Sequence, residues 1–566
     1  MSDAFANLPS NLPQLIRRAA VDHPDRGISI FDGRGRTAER RTYAELYALA
    51  VEAAARFDAL GVGPRQPVMV ALPTSWEWME AWLGLLLRGA WPVASAGATG
   101  LAAADVQLGK VDQVMAAMSA RHVVTSEGFR EQAKDGGYAR AAAGAITSGE
   151  LTSVSPTAGF TPPPVDAGDI AFLQLTSGST GLPRAVMISH GNAVHNTAAC
   201  DESATGQMRD PLHAWADSMT SWLPLYHDMG LVGCLLLPML VGLELRLIRP
   251  PTFLARPMLW LRELGSHGFS FAPAPNFGYQ LCLERIRPEQ LDGADLSNFK
   301  VALTGAEMIR SQTASAFVES FAPFGFAPES FLPCYGLAEA TLAVTFDDRG
   351  QGIRTLPAPP AADAGFALTD VVCVGRPVRD THLRVTAPNG RELDVGEVGE
   401  VRIQGPGLFA GYFGDADATA ESLVEGWYRT GDLGFLHRGE LYLTGRIKDV
   451  LIVHGHNLMP DEIERLADGV TGGGGLLRSA AFSVAHGSAG EEAVLVVEAN
   501  VDDPARLAEI EREIRIRIGR NLGLPVADVV FVRRGRIPRT TSGKMQRGEV
   551  RRRYLDGTLE VVNRES

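Results

Sequence analysis

The apolar run Ala171-Phe172-Leu173-Gln174-Leu175 empties directly into a Ser/Thr/Gly-rich turn, and the whole stretch from Leu175 to Asn192 reads LTSGSTGLPRAVMISHGN. A strand that ends in such a turn is built to wrap an anion. Thr176, Ser177, Gly178, Ser179, Thr180 and Gly181 supply hydroxyls and backbone N–H groups, and the two glycines remove the Cβ atoms that would hold the backbone away from phosphate oxygens. The turn is not the GxxxxGK[ST] loop of the P-loop nucleotidases. Taken alone, it also admits the reading of a flexible surface loop, so its weight comes from the rest of the chain.

That rest alternates between helical and strand-like periodicity. A helical pattern over YAELYALAVEAAARFDAL at 43–60 is followed by an apolar strand, PVMVALP, at 67–73, and such alternation predicts sheets covered by helices. The proline-rich segment 153–169 reads as a linker ahead of the AFLQL strand. Between about 370 and 445, the short glycine-punctuated runs VVCVG, LRVTA, GEVRIQG and ELYLTG predict a small antiparallel unit. Mixed α/β character resumes beyond it, with Ile510, Ile514 and Ile518 on one helical face. At 566 residues the chain is expected to form three or four compact units.

Composition narrows the class. The five cysteines, Cys200, Cys234, Cys282, Cys334 and Cys373, are far apart and lack metal-ligand or CxxC spacing, which predicts reduced thiols in a cytoplasmic protein. The N-terminal MSDAFANLPSNLPQL has neither a basic start nor a continuous apolar segment, so a secretory signal is not expected. The most apolar run, GCLLLPMLVGL at 233–243, is short and broken by proline, and predicts a buried strand or helix rather than a membrane span. With 53 basic and 66 acidic residues the formal charge is -13, which argues against general nucleic-acid binding.

Further along the chain come WLPLYHDMGL at 222–231, TGAEMI at 304–309, CYGLAEATL at 334–342, WYRTGDLGFL at 427–436, LTGRIKDVLIVHGHNLMPDEIE at 443–464 and RTTSGKMQR at 539–547. In order and spacing these strings resemble the motifs of the adenylate-forming superfamily of acyl-CoA synthetases, luciferases and amino-acid adenylation domains, over nearly the whole chain. YHDMGL, CYGLAEATL and GRIKDVLI look most like the fatty acyl-AMP ligases. The resemblance implies an α/β fold: a large N-terminal domain (1–447) of helix-covered sheet subdomains plus a small β-rich subdomain, then a small mobile α/β C-terminal domain (448–566). It also implies activation of a fatty or related acid by ATP and magnesium. The acyl group would then pass to a separate holo acyl carrier protein of the kind that serves polyketide or nonribosomal peptide synthesis.

Attack of a carboxylate on the α-phosphorus, with departure of pyrophosphate, requires a phosphate cradle, a hard oxygen ligand for magnesium and a mobile cation. Residues 176–181 are the candidate cradle. By resemblance, Glu339 is the magnesium ligand with Thr180 beside it, and the backbone of Gly305, Ala306 and Glu307 lines the base. Tyr335 stacks on adenine next to Gly336. Asp432 accepts from the ribose hydroxyls, and Arg446 contacts ribose or phosphate. Lys544 bridges carboxylate and α-phosphate, and Asp449 is the hinge beside Lys448. His227 lies beside the incoming carboxylate. Its neighbour Asp228 admits an amino-acid reading, which the whole string HDMGL disfavours. The apolar string Phe271 to Phe277 is a candidate acyl wall, or ordinary core.

Several alternatives stay open. The polar, Gly/Pro-rich segment 346–370 matches the insertion associated with poor use of coenzyme A in acyl-AMP ligases, and reads otherwise as a surface loop. An acyl-CoA synthetase is therefore the rival enzyme. Where the family's phosphate loop continues with proline, lysine and glycine, this chain has Pro183, Arg184 and Ala185. A planar guanidinium keeps the charge but changes its geometry, and this departure is the one sign of a relative that has lost its chemistry. Nine basic residues between Arg533 and Arg553 face a single acid, Glu549, and read as a solvated face or as a dock for an acidic carrier.

Overall fold

The structure is a computed structural model. It describes residues 7–31, 37–97, 104–176, 183–205, 218–266, 270–291, 293–357, 370–453, 456–468, 470, 478–485, 491–501, 503–539 and 545–562.

The predicted alternation builds two large sheets. In the first, strands Ala145–Thr147, His122–Thr125, Pro67–Val70, Trp91–Ala94 and Ile170–Leu175 run parallel, and Ala185–Ser189 closes the edge antiparallel to Ile170–Leu175. The second has nine strands, with a parallel centre from Gly27–Phe31 through Glu244–Ile248, Ser218–Ser221, Ser270–Ala274 and Phe299–Thr304 to Phe331–Gly336. Parallel strands covered on both faces read as continuous apolar runs, as VMV and FAPA do here. Helix Tyr43–Ala59 starts at a capping box, in which Thr42 accepts from the Glu45 N–H while the Glu45 side chain accepts from the Thr42 N–H. It packs with helix Trp76–Leu87, whose Trp78 and Trp82 rings stack, in a core shared by both sheets.

The run at 233–243 is helical and fully enclosed, with an irregularity. Helix Asp228–Leu231 widens into a π-turn over Val232–Leu236, where the Leu237 N–H reaches the Val232 carbonyl, and closes as helix Leu237–Val241. Pro238 has no N–H to give to the carbonyl of residue 234, and the wider turn absorbs that missing bond.

The β-rich unit is an antiparallel sheet of His382–Thr386, Gly399–Gln404, Trp427–His437, Leu423–Val424 and Glu440–Arg446. It begins later than the pattern suggests. Val371–Val372 pairs instead with Thr355–Leu356, and Arg376–Pro377 joins the edge of the nine-stranded sheet. Both runs are too short to hold their own ladder, so tertiary pairing decides where they go.

Residues 451–562 form a separate hydrophobic core, so the chain comprises a large N-terminal domain and a smaller C-terminal one. Its three-stranded sheet carries helix Pro504–Leu522, which is capped by Asp503 and stopped by Gly523 in a left-handed conformation. Ile510, Ile514 and Ile518 all face inward, as their spacing predicts. Among the described residues, no helix is long and apolar enough to cross a membrane.

Candidate active site

A cleft of about 1800 Å³ opens between the carboxyl ends of the large sheets and the C-terminal core, the usual place for a ligand in an open α/β sheet. Thr176, Pro183 and Arg184, the described ends of the Ser/Thr/Gly-rich turn after strand Ile170–Leu175, line the cleft. At the neck of that turn the Thr176 N–H donates to the Arg184 carbonyl at 2.9 Å, and the Arg184 N–H donates back to Thr176 Oγ1 at 3.1 Å. Thr176 thus closes the neck of the loop. The Arg184 guanidinium carbon lies 5.0 Å from the centre of the Tyr412 ring, a stacked geometry that suits arginine better than lysine. Ser177, Gly178, Ser179, Thr180 and Gly181 lie outside the described residues, as does Lys544.

Glu339 sits in a short turn after strand Phe331–Gly336. Its Oε1 accepts from the Tyr412 hydroxyl at 2.8 Å, and that hydroxyl lies 3.3 Å from the Tyr428 hydroxyl. Burial pushes the Glu339 carboxyl above its ordinary range, and the charge of Asp228 adds to the shift. The same enclosure lifts the Tyr412 phenol to about 12. An enclosed carboxyl raised by burial, with a second carboxylate adding to the shift, fits a divalent cation, whose charge would relieve it.

The backbone after Glu339 is strained. Thr341 has φ 68° and ψ -56°, and the Leu342 N–H donates to the Ala340 carbonyl at 2.8 Å, which makes Thr341 the centre of a three-residue γ-turn. A β-branched residue adopts this conformation only when its surroundings impose it. Here the Thr341 hydroxyl donates to the Gly407 carbonyl at 2.8 Å, and the Phe409 N–H donates to the Glu339 carbonyl at 2.9 Å. Gly336 completes the turn's packing, since a Cβ there would stand 1.8 Å from the Leu342 carbonyl oxygen.

Asp432 lies across the cleft on strand Trp427–His437, directly opposite Arg446 in the antiparallel ladder. Its Oδ1 is 2.7 Å from Arg446 Nε, and its Oδ2 accepts from the Tyr335 hydroxyl at 2.5 Å. Each carboxylate oxygen keeps a further lone pair for an incoming hydroxyl. Tyr335 is only 7% exposed, and burial together with Asp432 holds its phenol well above the usual value. The Asp432 charge raises Arg446 further, whereas burial and the adjacent Arg446 lower Lys448. Asp449 lies in the single turn Ile447–Asp449, 3.6 Å from Arg547.

His227 caps the helix that begins at Asp228. Its Nδ1 is 2.6 Å from Asp228 Oδ1, which in turn accepts from the Met229 N–H at 2.6 Å. From here the π-turn carries Gly233 and Leu237 into the cleft, and Phe271, Phe277 and Leu342 add an apolar wall. Gly305 packs against Cys334, where a Cβ would meet Sγ at 2.7 Å. Ala306 follows with φ 67°, and Glu307 Oε1 accepts from the Phe277 N–H at 2.6 Å. The described parts of the sequence motifs thus gather around one cleft. Tyr412, Tyr428 and Thr341 were not singled out from sequence, although Thr341 lies inside the quoted motif CYGLAEATL and Tyr428 inside WYRTGDLGFL.

Two further predictions meet the structure here. Of the insertion 346–370, residues 358–369 lie outside the described part. Its described stem is held by Arg354, which binds Asp347, Glu440 and, at 3.2 Å, Cys373 Sγ. Asp347, Cys373 and Glu440 stand close enough to hold a metal, but the guanidinium already sits among them. In the basic C-terminal segment, in turn, several arginines are paired, and Arg534, Arg536 and Arg552 stay at least half exposed. Arg547 is turned inward onto Glu464, Arg534 binds Glu284, and Arg552 and Arg553 bind Glu549. The five cysteines form no disulfide, and burial raises Cys234 and Cys334 to about 12 and Cys373 to about 11, far from a reactive thiolate.

Comparison with known proteins agrees with this arrangement. The AMP-binding enzyme family model matches residues 16–413, and the chain belongs to that family. A relative from Caulobacter vibrioides, named for acyl-CoA synthesis, is 32% identical over 98% of this chain and 96% of its own length. A long-chain-fatty-acid–AMP ligase of Mycobacterium marinum is 33% identical over 96% and 97%. A medium-chain-fatty-acid–[acyl-carrier-protein] ligase of Moorena producens is 34% identical over 70% of each chain. A solved structure from a study of fatty acyl-adenylate ligases of E. coli and L. pneumophila superposes with a TM-score of 0.87 at 30% identity, covering 97% of this chain and 98% of that one. The resemblance to fatty acyl-AMP ligases read from the motifs is borne out.

Proposed function

We propose that this fatty acyl-AMP ligase joins a fatty acid to AMP and passes the acyl group to the phosphopantetheine thiol of a separate carrier protein. The observation that carries the reading is the mixed lining of one cleft. The same cleft is lined by the polar Arg184, Glu339, Asp432 and Arg446 and by the apolar Leu237, Phe271, Phe277 and Leu342. In the first step a carboxylate oxygen attacks the α-phosphorus, the bond to the bridging α–β oxygen breaks, and pyrophosphate leaves with that electron pair. In the second, a thiolate attacks the acyl carbon and AMP departs, the thiol proton having gone to solvent.

Each residue has a role in this scheme. Residues 176–181 and Arg184 would hold the terminal phosphates, and Glu339 together with Thr180 would hold magnesium, which would supply charge neutralisation to the phosphates. Tyr412 keeps the Glu339 carboxylate aimed by donating to it. Asp432 takes the ribose hydroxyls, while Tyr335 and Gly336 meet the base with the segment Gly305, Ala306 and Glu307. His227 sits beside the acid. Lys544 approaches carboxylate and α-phosphate from a C-terminal domain (448–566) that turns about Asp449 against the N-terminal one (1–447). The carrier acceptor is supported by the name of the Moorena relative and a cytoplasmic location by the free cysteines. The name of the Caulobacter relative favours a second reading, transfer to coenzyme A.

The test is to incubate the purified enzyme with ATP, magnesium and a panel of acids, with coenzyme A or a holo carrier protein, and identify products by mass spectrometry. Acyl-AMP consumed by the carrier but not by coenzyme A is expected. Rapid acyl-CoA formation would replace the carrier reading by the second one. Lys544→Ala is expected to slow adenylation by about 100-fold or more with ATP affinity retained, and near-normal adenylation removes Lys544 from its role.

A further inference from the structure

The helical segment after His227 meets the cleft along a single stripe. Of residues 228–241, Asp228, Met229, Gly233 and Leu237 line the cleft, while the residues from Leu231 to Leu236 other than Gly233 pack into the core. Beyond the first turn, then, the lining recurs every four residues. Four residues of a regular α-helix rotate about 40° past a full circle, so a stripe at that spacing drifts off its face within two repeats. The π-turn Val232–Leu236, closed by the Leu237 N–H on the Val232 carbonyl, takes more residues per turn and brings Leu237 back onto the face of Met229 and Gly233.

The middle position of this stripe carries no side chain, and the backbone does not ask for glycine there. Gly233 is helical, with no positive φ, and glycine is a poor residue for a helix interior. Nor does close packing of backbone require it. A Cβ at Gly233 would stand 3.2 Å from Leu342 Cδ2 and 3.9 Å from Met229 Cγ, which belong to apolar side chains that themselves line the cleft. Gly230 is the contrasting case, since a Cβ there would stand 2.0 Å from the Pro224 carbonyl oxygen. What Gly233 provides is room on the cleft wall.

The surroundings show what that room suits. Leu342 leads into strand Ala343–Phe346, whose Ala343 and Phe346 also line the cleft. Helix His190–Thr205 packs against both this strand and the π-turn. Its Asn196 side chain donates to the Ala343 carbonyl and accepts from the Ala343 N–H, each at 2.9 Å. None of the side chains that line this part of the cleft beyond Asp228 is charged, as a hydrocarbon chain requires.

We propose that Gly233 sets the reach of the acyl chain, by leaving open between Met229 and Leu342 a passage for an unbranched chain of medium length or longer. The proposal rests on the adenylation reading, in which His227 stands beside the carboxylate. From His227 to Gly233 the helix climbs about 9 Å, so the shortest acids end before the glycine and longer ones pass it. A side chain at position 233 closes the passage.

The experiment measures acyl-AMP formation by the full-length enzyme from butyrate, octanoate, dodecanoate and hexadecanoate, and titrates dodecanoate directly by calorimetry. It compares the parent with Gly233→Ala, Gly233→Leu, and Gly233→Leu combined with Leu342→Ala, with circular dichroism as the check on folding. The ratio of kcat/KM for dodecanoate to that for butyrate is expected to fall at least about tenfold in Gly233→Leu. A smaller fall is expected in Gly233→Ala, where only the Leu342 side chain has to give. Adding Leu342→Ala to Gly233→Leu returns space and is expected to recover part of the ratio. A folded Gly233→Leu with the ratio of the parent, or with a proportional loss for every acid, overturns the proposal. If Gly233→Leu fails to fold, the ratio in Gly233→Ala decides in the same way. A parent that forms no acyl-AMP from any acid would sink the adenylation reading, and the passage then stands if Gly233→Leu weakens dodecanoate binding and falls if it does not.

Discussion

His190 shows how a single buried group links the cleft's scaffold to pH. It opens helix His190–Thr205 just after the phosphate-loop hairpin, is 2% exposed, and accepts at Nδ1 from the Leu12 N–H at 3.4 Å. The neutral ring therefore carries its proton on Nε2. Burial holds its pKa at about 4, against 6.5 in the unfolded chain. With the folded value the lower one, protonation favours unfolding as the pH falls through 6.5, and the loss is complete near 4. By pH 5 the loss is about 2 kcal/mol. His190→Gln is expected to show a smaller drop in Tm between pH 7 and 5 than the parent, and an identical drop would exclude His190 as the source. At this scale the motifs read from sequence lead to residues that line the cleft, such as Glu339 and Asp432. Sequence reading misses Tyr412 and Tyr428, because their hydroxyls reach Glu339 from segments more than seventy residues away.

Among the elements, those with long periodic patterns are the legible ones. Helix Tyr43–Ala59 and the Ile510–Ile514–Ile518 face follow from spacing, and the Asp432–Arg446 pair follows from a hairpin whose strands put the two residues opposite each other. The two-residue strands around the insertion are not legible, because their partners lie on other elements. What holds this insertion is a buried charge network. Arg354 ties Asp347, which is 3% exposed, to Glu440, which is 7% exposed, and its own carbonyl accepts from the Cys373 N–H at 2.9 Å. Burial raises the Asp347 carboxyl even with the arginine opposing it. Arg354→Ala would leave two enclosed carboxylates facing each other, at a cost of about 3 kcal/mol. A lower Tm and faster limited proteolysis within 347–370 are expected. If zinc restores the variant's Tm but does not raise that of the parent, the arginine is filling a metal-shaped site. Unchanged proteolysis would show that the stem is held by other contacts.

For the molecule as a whole, the question is what fixes the C-terminal core against the cleft. Two charge clusters cross the junction. Arg310, just before helix Ser311–Phe321, lies 2.8 Å from Asp468, 3.7 Å from Glu464 and 3.9 Å from Asp461, which form an i, i+3, i+7 stripe on helix Pro460–Asp468. Glu284, at the end of helix Asn276–Arg285, lies 3.3 Å from Arg478 and 2.7 Å from Arg534. Arg547 faces the same acidic stripe from within the C-terminal core. Without Arg310, three carboxylates would share one arginine, and without Glu284, two arginines would repel. The clusters therefore act as a latch for this particular pose. Individual motifs such as TGAEMI and GRIKD are legible in sequence, but this pairing is not, because it joins residues from separately folded cores. Arg310→Ala and Glu284→Gln are each expected to weaken docking by about 2 kcal/mol. The Glu284 cluster, whose Arg534 is half exposed, should show the steeper salt dependence. If adenylation and thiol transfer use different poses, the two rates move in opposite directions in both variants. A double-mutant cycle of Arg310→Ala with Asp468→Asn separates their direct pairing from general loosening. Parallel loss of both rates with no coupling in the cycle would reduce the latch to a contribution to stability alone.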